Sequence, residues 1–94
     1  MPLVRVRLFA ALREIAGASN VEAEGDTVGA VIDALASRYG ERFETIARAG
    51  SVVVDGERAD ASRSLTDGEE VALLPPVSGG HRTALEGYRG PAVA

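Results

Sequence analysis

The stretch that decides the fold spans residues 66–80 and reads TDGEEVALLPPVSGG. After an Asp-Gly turn, the apolar run at residues 71–74 has the length and side chains of a buried strand. Pro75 and Pro76 end that strand, because proline cannot donate a ladder hydrogen bond and fixes φ near polyproline values. The chain must then leave the sheet in an extended state, and its side chains shrink to nothing at two glycines. Residues 77–80, when extended, span about 13 Å. This length is enough to enter a partner's active site.

The N-terminal part predicts two strands separated by a short helix. Residues 3–10 alternate apolar with other side chains, which is the period of a half-buried strand. Its core-facing residues are Val4, Val6 and Leu8. Residues 11–16 predict one or two helical turns that end at Gly17. A polar edge strand is expected within residues 18–25, with Val21 and Ala23 turned inward.

The main helix is predicted from an apolar stripe at i, i+3, i+4, i+7 and i+11. The stripe consists of Val28, Val31, Ile32, Leu35 and Tyr39. Asp26 or Thr27 can cap this helix, and Gly40 is expected to end it in a left-handed conformation. Residues 41–49 then favour a short irregular helix that ends near Gly50. Beyond it, a β-branched strand at residues 51–54, an Asp-Gly turn and a return at residues 57–59 predict a hairpin.

Composition and charge limit the class of protein. The chain has 94 residues, 46% of them hydrophobic and 26% charged, which fits one globular domain. It has no cysteine, so disulfides, thiolate metal sites and a cysteine nucleophile are excluded. The net charge of −4 argues against nucleic-acid and membrane partners and favours a basic docking surface on a protein partner, although it could also serve only solubility. No signal peptide or membrane-spanning segment is recognisable, so we expect a cytoplasmic protein.

The sequence offers no self-contained catalytic site. His81 is the only histidine, and Ser78 lies on a glycine-flanked stretch that could not hold a nucleophile against a base. Asp67, Glu69 and Glu70 could be imagined as metal ligands, but a solvated turn is the more frequent role of such a cluster. We therefore expect that the chain is not an enzyme on its own and binds no metal or cofactor.

Residues 67–80 resemble, with one residue's latitude, the C-terminal signature DGxEVxxxPPVxGG of the MoaD/ThiS family of ubiquitin-like sulfur carriers. Residues 4–17, VRVRLFAALREIAG, are similar to the opening strand and first helical turn of that family. The resemblance covers residues 4–80. It implies an α+β fold of the β-grasp (ubiquitin-like) type, in which a mixed sheet of four to five strands packs on one main helix. Residues 1–80 would form this domain and residues 81–94 a C-terminal extension.

The resemblance also implies a function and its residues. An E1-like enzyme would use ATP to adenylate the carboxylate of Gly80, which follows Gly79, and sulfur would then convert it to a thiocarboxylate. In molybdopterin synthase, a MoaE-like large subunit would receive that sulfur for molybdenum cofactor biosynthesis. The partner-facing residues would be Phe9, Leu74, Pro75, Pro76, Val77 and Ser78. For Leu73, a place in the core is the simpler expectation.

In this chain residues 81–94 follow Gly80, which leaves that glycine with an amide instead of a carboxylate. Three explanations stay open: a protease cuts after Gly80, the extension is permanent and the domain regulates a partner, or the extension is not native. Two alternative functions also stay open. One is a sulfur carrier for thiazole or cysteine biosynthesis, and the other is a β-grasp interaction domain that carries no sulfur.

Overall fold

The computed structural model describes residues 1–76. Its elements are β1 (Leu3–Leu8), α1 (Ala11–Ala16), β2 (Asn20–Glu24), α2 (Val28–Tyr39), α3 (Glu41–Ala49), β3 (Ser51–Val54), β4 (Glu57–Ala59) and β5 (Glu70–Leu74). The five strands form one sheet in the order β2-β1-β5-β3-β4. The central strands β1 and β5 are parallel, and the other neighbouring pairs are antiparallel. This is the predicted β-grasp arrangement.

The main core lies between the sheet and the helices. Val4, Val6 and Leu8 are buried there, as the alternation in β1 predicted. On the edge strand β2, Ala23 is buried and Val21 packs against the same core. β1 ends at Leu8, two residues earlier than predicted, because the backbone turns at once into α1: Leu12 N–H donates to the Phe9 carbonyl, and Ala10 adopts a φ of 52°.

The main helix α2 follows its predicted stripe. Val28, Val31, Ile32 and Leu35 are buried, and Tyr39 packs at the margin of the core. Of the two candidate caps, Thr27 acts: its hydroxyl accepts the Ala30 N–H at 3.1 Å. No helix within residues 1–76 is long and apolar enough to cross a membrane.

Two predictions, one about the end of α2 and one about α3, need correction. Gly40 ends the helix with a φ of 104°, but its ψ of 177° is extended and not left-handed helical. The reason is that Gly40 also precedes the first residue of α3, so the chain must change direction there instead of closing a C-terminal turn. The second helix, α3, is a regular nine-residue α-helix and not an irregular one. It buries Phe43 and Ala47.

Both Asp-Gly turns form as predicted. Asp55 and Gly56 have φ values of 48° and 88°, so both have the positive φ that a two-residue hairpin loop requires. The Asp55 carboxylate accepts the Glu70 N–H at 3.0 Å, which ties this hairpin to β5. At the second turn Gly68 has a φ of 89°, and its N–H donates to the Leu3 carbonyl at 2.9 Å.

Candidate functional site

The end of β5 is where the candidate site begins. Leu73 is fully buried in the main core, and Leu74 points to the opposite face of the sheet. The sequence predicted Leu73 in the core; Leu74, predicted to face a partner, lies on the other face of the sheet but is buried there. β5 ends at Leu74, directly before Pro75 and Pro76, as the missing proline N–H groups predicted. Pro75 is half-buried, and Pro76 is exposed.

A second apolar cluster lies on the sheet face that turns away from the helices. This outer cluster consists of Val53, Ala72 and Leu74, with Phe9 packed against them. Register explains the grouping: Val53 faces Ala72 across β3 and β5, and Phe9 follows Leu8, which faces Leu73. The structure therefore brings together two predicted partner-facing residues, Phe9 and Leu74. Leu74 is only 3% exposed, whereas Phe9 is half-buried.

Sequence reasoning missed Val53 and Ala72, each 2% exposed. Both lie inside continuous apolar runs, Val52-Val53-Val54 and Val71 to Leu74, which carry no alternation to mark the outer face. A strand without alternation is typical of burial on both faces, and this was the available signal.

Two arginines flank the outer cluster along one cross-strand row. Arg7 faces Ala72 on one side, and Arg58 faces Val53 on the other. The guanidinium carbon of Arg7 also lies 5.5 Å from the centre of the Phe9 ring, within cation–π distance. The apolar centre of the outer face thus has a positive charge at either end, although the chain as a whole is acidic.

The carboxylates near the second Asp-Gly turn hold the loop together. Asp67 accepts the Leu3 N–H at 2.9 Å, and Glu69 accepts the Thr66 N–H at 2.8 Å. Arg63 adds a donor to Glu69 at 3.3 Å. The pKa of Glu69 is lowered, chiefly by the hydrogen bond from the Thr66 N–H and next by the hydrogen bond from the Arg63 guanidinium, because both stabilise the ionised carboxylate. Within residues 1–76, no group of three or more histidine or acidic residues could hold a metal ion.

Four predicted site residues, Val77, Ser78, Gly79 and Gly80, lie outside the described residues. The extension at residues 81–94 lies outside them too. Their roles therefore stay predictions, and the described part of the site ends at Pro76.

Comparison with known proteins shows what kind of chain carries this site. The ThiS family matches residues 6–80, so the match ends at the second glycine. Small archaeal modifier protein 1 of Haloferax volcanii is 38% identical over 88 residues, covering 79% of this chain and 97% of its own length. The molybdopterin synthase sulfur carrier subunit of Escherichia coli is 34% identical over 82 residues, covering 83% of this chain and all of its own length.

A solved structure shows a similar protein bound to another one. In the BexX/CysO complex of Amycolatopsis orientalis, the matching chain is 30% identical, with a TM-score of 0.69, and the match covers 82% of this chain and 99% of that one. The family match and these relatives all extend over most of the chain. The protein is a member of the ThiS family of ubiquitin-like sulfur carriers.

Proposed function

We propose that this protein is the small subunit of a molybdopterin synthase and carries sulfur as a thiocarboxylate on Gly80. The observation that carries the proposal is the end of the family match at Gly80, four residues beyond the two prolines that end β5. A MoaE-like large subunit would take the sulfur for molybdenum cofactor biosynthesis in the cytoplasm. The chain itself would bind no cofactor.

The chemistry needs a free carboxylate on Gly80. A protease would first hydrolyse the Gly80–His81 peptide bond and release residues 81–94. One carboxylate oxygen would then attack the α-phosphorus of ATP on an E1-like enzyme, and pyrophosphate would leave. Hydrosulfide would next attack the acyl carbon, displace AMP and lose its proton, which leaves the thiocarboxylate; if a persulfide attacks instead, a second thiol would have to cleave the resulting acyl disulfide, and the two thiols would leave as a disulfide. Gly80 suits this role because it has no Cβ to hinder attack or to block a narrow channel.

The residues around the end of β5 would form the contact with the partner proteins. Phe9 and Pro75 are half-buried and Pro76 is exposed, so these three remain reachable from the outer face. Leu74 belongs to the buried outer cluster against which Phe9 packs, so it supports the position of Phe9. Val77 and Ser78 would continue the contact toward the active site, with Gly79 and Gly80 entering it.

The test uses three forms of the chain: residues 1–80, residues 1–79 and the full 94 residues. Each is incubated with an E1-like enzyme, ATP and a sulfur donor, and its intact mass is measured. We expect only residues 1–80 to gain mass by exchange of one oxygen for sulfur, and only that form to convert the pterin precursor with the large subunit. Equal modification of residues 1–79 would refute the role of Gly80.

A second candidate is a carrier for another pathway, such as thiazole or cysteine biosynthesis, and it is supported by the match to the ThiS family as a whole and by the similarity to a chain of the BexX/CysO complex, since neither names molybdopterin synthase. Both candidates use the same thiocarboxylate, so only the acceptor separates them. The thiocarboxylated form of residues 1–80 should be offered to a MoaE-like subunit and to a cysteine-forming enzyme in parallel. A full-length chain recovered uncut from its own cells would instead favour a regulatory domain with a permanent extension.

A further inference from the structure

Gly50 lies directly beneath the exit of β5. It separates α3 from β3, and the neighbouring residue Ser51 faces Leu74 in the last register pair of the two strands. A Cβ atom built on Gly50 would lie 1.8 Å from the carbonyl oxygen of Leu74. It would also lie 2.9 Å from the Leu74 carbonyl carbon and 2.9 Å from the Pro75 Cα. All three atoms belong to the main chain, so no side-chain rotation could relieve the overlap.

The backbone conformation of Gly50 does not itself require glycine. Its φ of −94° and ψ of −155° are extended values that other residues adopt. Gly68, by contrast, has a φ of 89° and needs glycine for its turn. At Gly50 the requirement is space: the Leu74–Pro75 peptide crosses so closely over its Cα that no side chain fits.

We propose that Gly50 is a positioning residue that sets the path on which the chain leaves β5. Upstream of this crossing, Leu74 is fixed by its pairing with Ser51; downstream, Pro75 and Pro76 allow little backbone freedom. A side chain at residue 50 would displace the Leu74–Pro75 peptide and redirect everything that follows it. The consequence for sulfur transfer rests on the proposed function, whereas the effect on the exit path does not.

The absence of cysteine makes the path directly measurable. The double variant Thr45→Cys, Ser78→Cys of the full chain would carry one nitroxide on the exposed face of α3 and one beyond the two prolines. Pulsed electron–electron resonance then gives the distance distribution between the labels. In this background we expect Gly50→Ala to shift the mean distance or to broaden the distribution.

Gly25→Ala is the matched control. A Cβ on Gly25 would also be crowded, at 2.8 Å from the Val31 nitrogen, but this contact lies at the start of α2. It should therefore disturb the fold locally and leave the distance distribution unchanged. An unchanged distribution in Gly50→Ala, or the same change in both variants, would overturn the proposal.

If Gly50→Ala alone does not fold, Pro75→Gly can relax the crossing, and the double variant Gly50→Ala, Pro75→Gly is then compared with Pro75→Gly alone. We expect a broader distribution, and an unchanged one would count against the proposal.

In the residues 1–80 form, a Gly50→Ala chain that folds should lose adenylation efficiency, kcat/KM, by about 100-fold, since small misplacements of a reacting group have effects of that size. Gly25→Ala should retain it. If the unsubstituted residues 1–80 are not adenylated at all, the proposed function fails while the distance measurement still judges the exit path.

Discussion

Leu73 and Leu74 are neighbours in the chain but lie on opposite faces of the sheet. Leu73 belongs to the main core with the helices, and Leu74 belongs to the outer cluster with Phe9. Both are almost completely buried, at 0% and 3% exposed. The last two residues of β5 thus pack into the two apolar regions on opposite faces of the sheet. The strand is therefore held on both faces directly before the prolines.

This difference predicts that shortening the two leucine side chains to alanine has unequal effects on stability. Leu73→Ala should lower the free energy of unfolding by about 2–5 kcal/mol, because it opens a cavity in the main core. Leu74→Ala should cost less, since the outer cluster is small and its neighbours can close over the gap. It should instead weaken binding of the proposed partner, because Phe9 loses part of the surface against which it packs. Urea denaturation and partner titration of both variants measure these effects, and an equal loss of stability would contradict the assignment of faces.

The cap of α2 makes a separate prediction about stability. Thr27→Ala leaves the Ala30 N–H without its hydroxyl acceptor and should lower the free energy of unfolding by about 0.5–2 kcal/mol. Thr27→Ser keeps the acceptor and should retain most of that stability. Denaturant unfolding of the two variants tests this. If Ser and Ala prove equally destabilising, the methyl group and not the hydroxyl matters at this position.

Local patterns were enough to predict most of the elements but not how they meet. The alternation in β1, the stripe of α2 and the two Asp-Gly turns depend on neighbouring residues, and the structure confirms them. The family resemblance implied a mixed sheet, and the placement of β5 between β1 and β3 was not predicted in detail. The sequence marked Gly50 only as the end of a helix. Its close approach to Leu74 and Pro75 gave no local signal, because those atoms come from a distant part of the chain. The outer cluster was half predicted for the same reason: its composition depends on strand register.

Glu69 predicts an acid-dependent part of the stability. Its pKa is lowered in the folded protein, chiefly by the Thr66 N–H and then by Arg63. A carboxylate with a lowered folded pKa contributes stability above its unfolded pKa, and this contribution is lost as the pH falls through the folded pKa. Glu69→Gln should therefore lower the urea midpoint at neutral pH and reduce the further loss on acidification. Glu57→Gln, at an exposed position of β4, is the control and should leave the pH profile nearly unchanged.

The arginines beside the outer cluster predict the charge of the partner's docking surface. Arg7 and Arg58 flank Ala72 and Val53 along one row, so a partner that covers this face should offer carboxylates opposite them. This local pattern points to the opposite sign from the basic docking surface that the net charge of −4 favoured.

Replacing both arginines by glutamate should therefore slow association with the proposed E1-like partner at low salt, and the difference should shrink as salt screens the charges. The control is the double variant Arg13→Glu, Arg42→Glu, which changes the net charge equally but at exposed positions on α1 and α3. Stopped-flow association rates at several ionic strengths compare the two. If the helix variant slows association as much as the outer-face variant, net charge governs the encounter and the arginine row has no special role. If only the outer-face variant is slow, the partner docks across Phe9 and the end of β5, where Pro76 begins the path to Gly80.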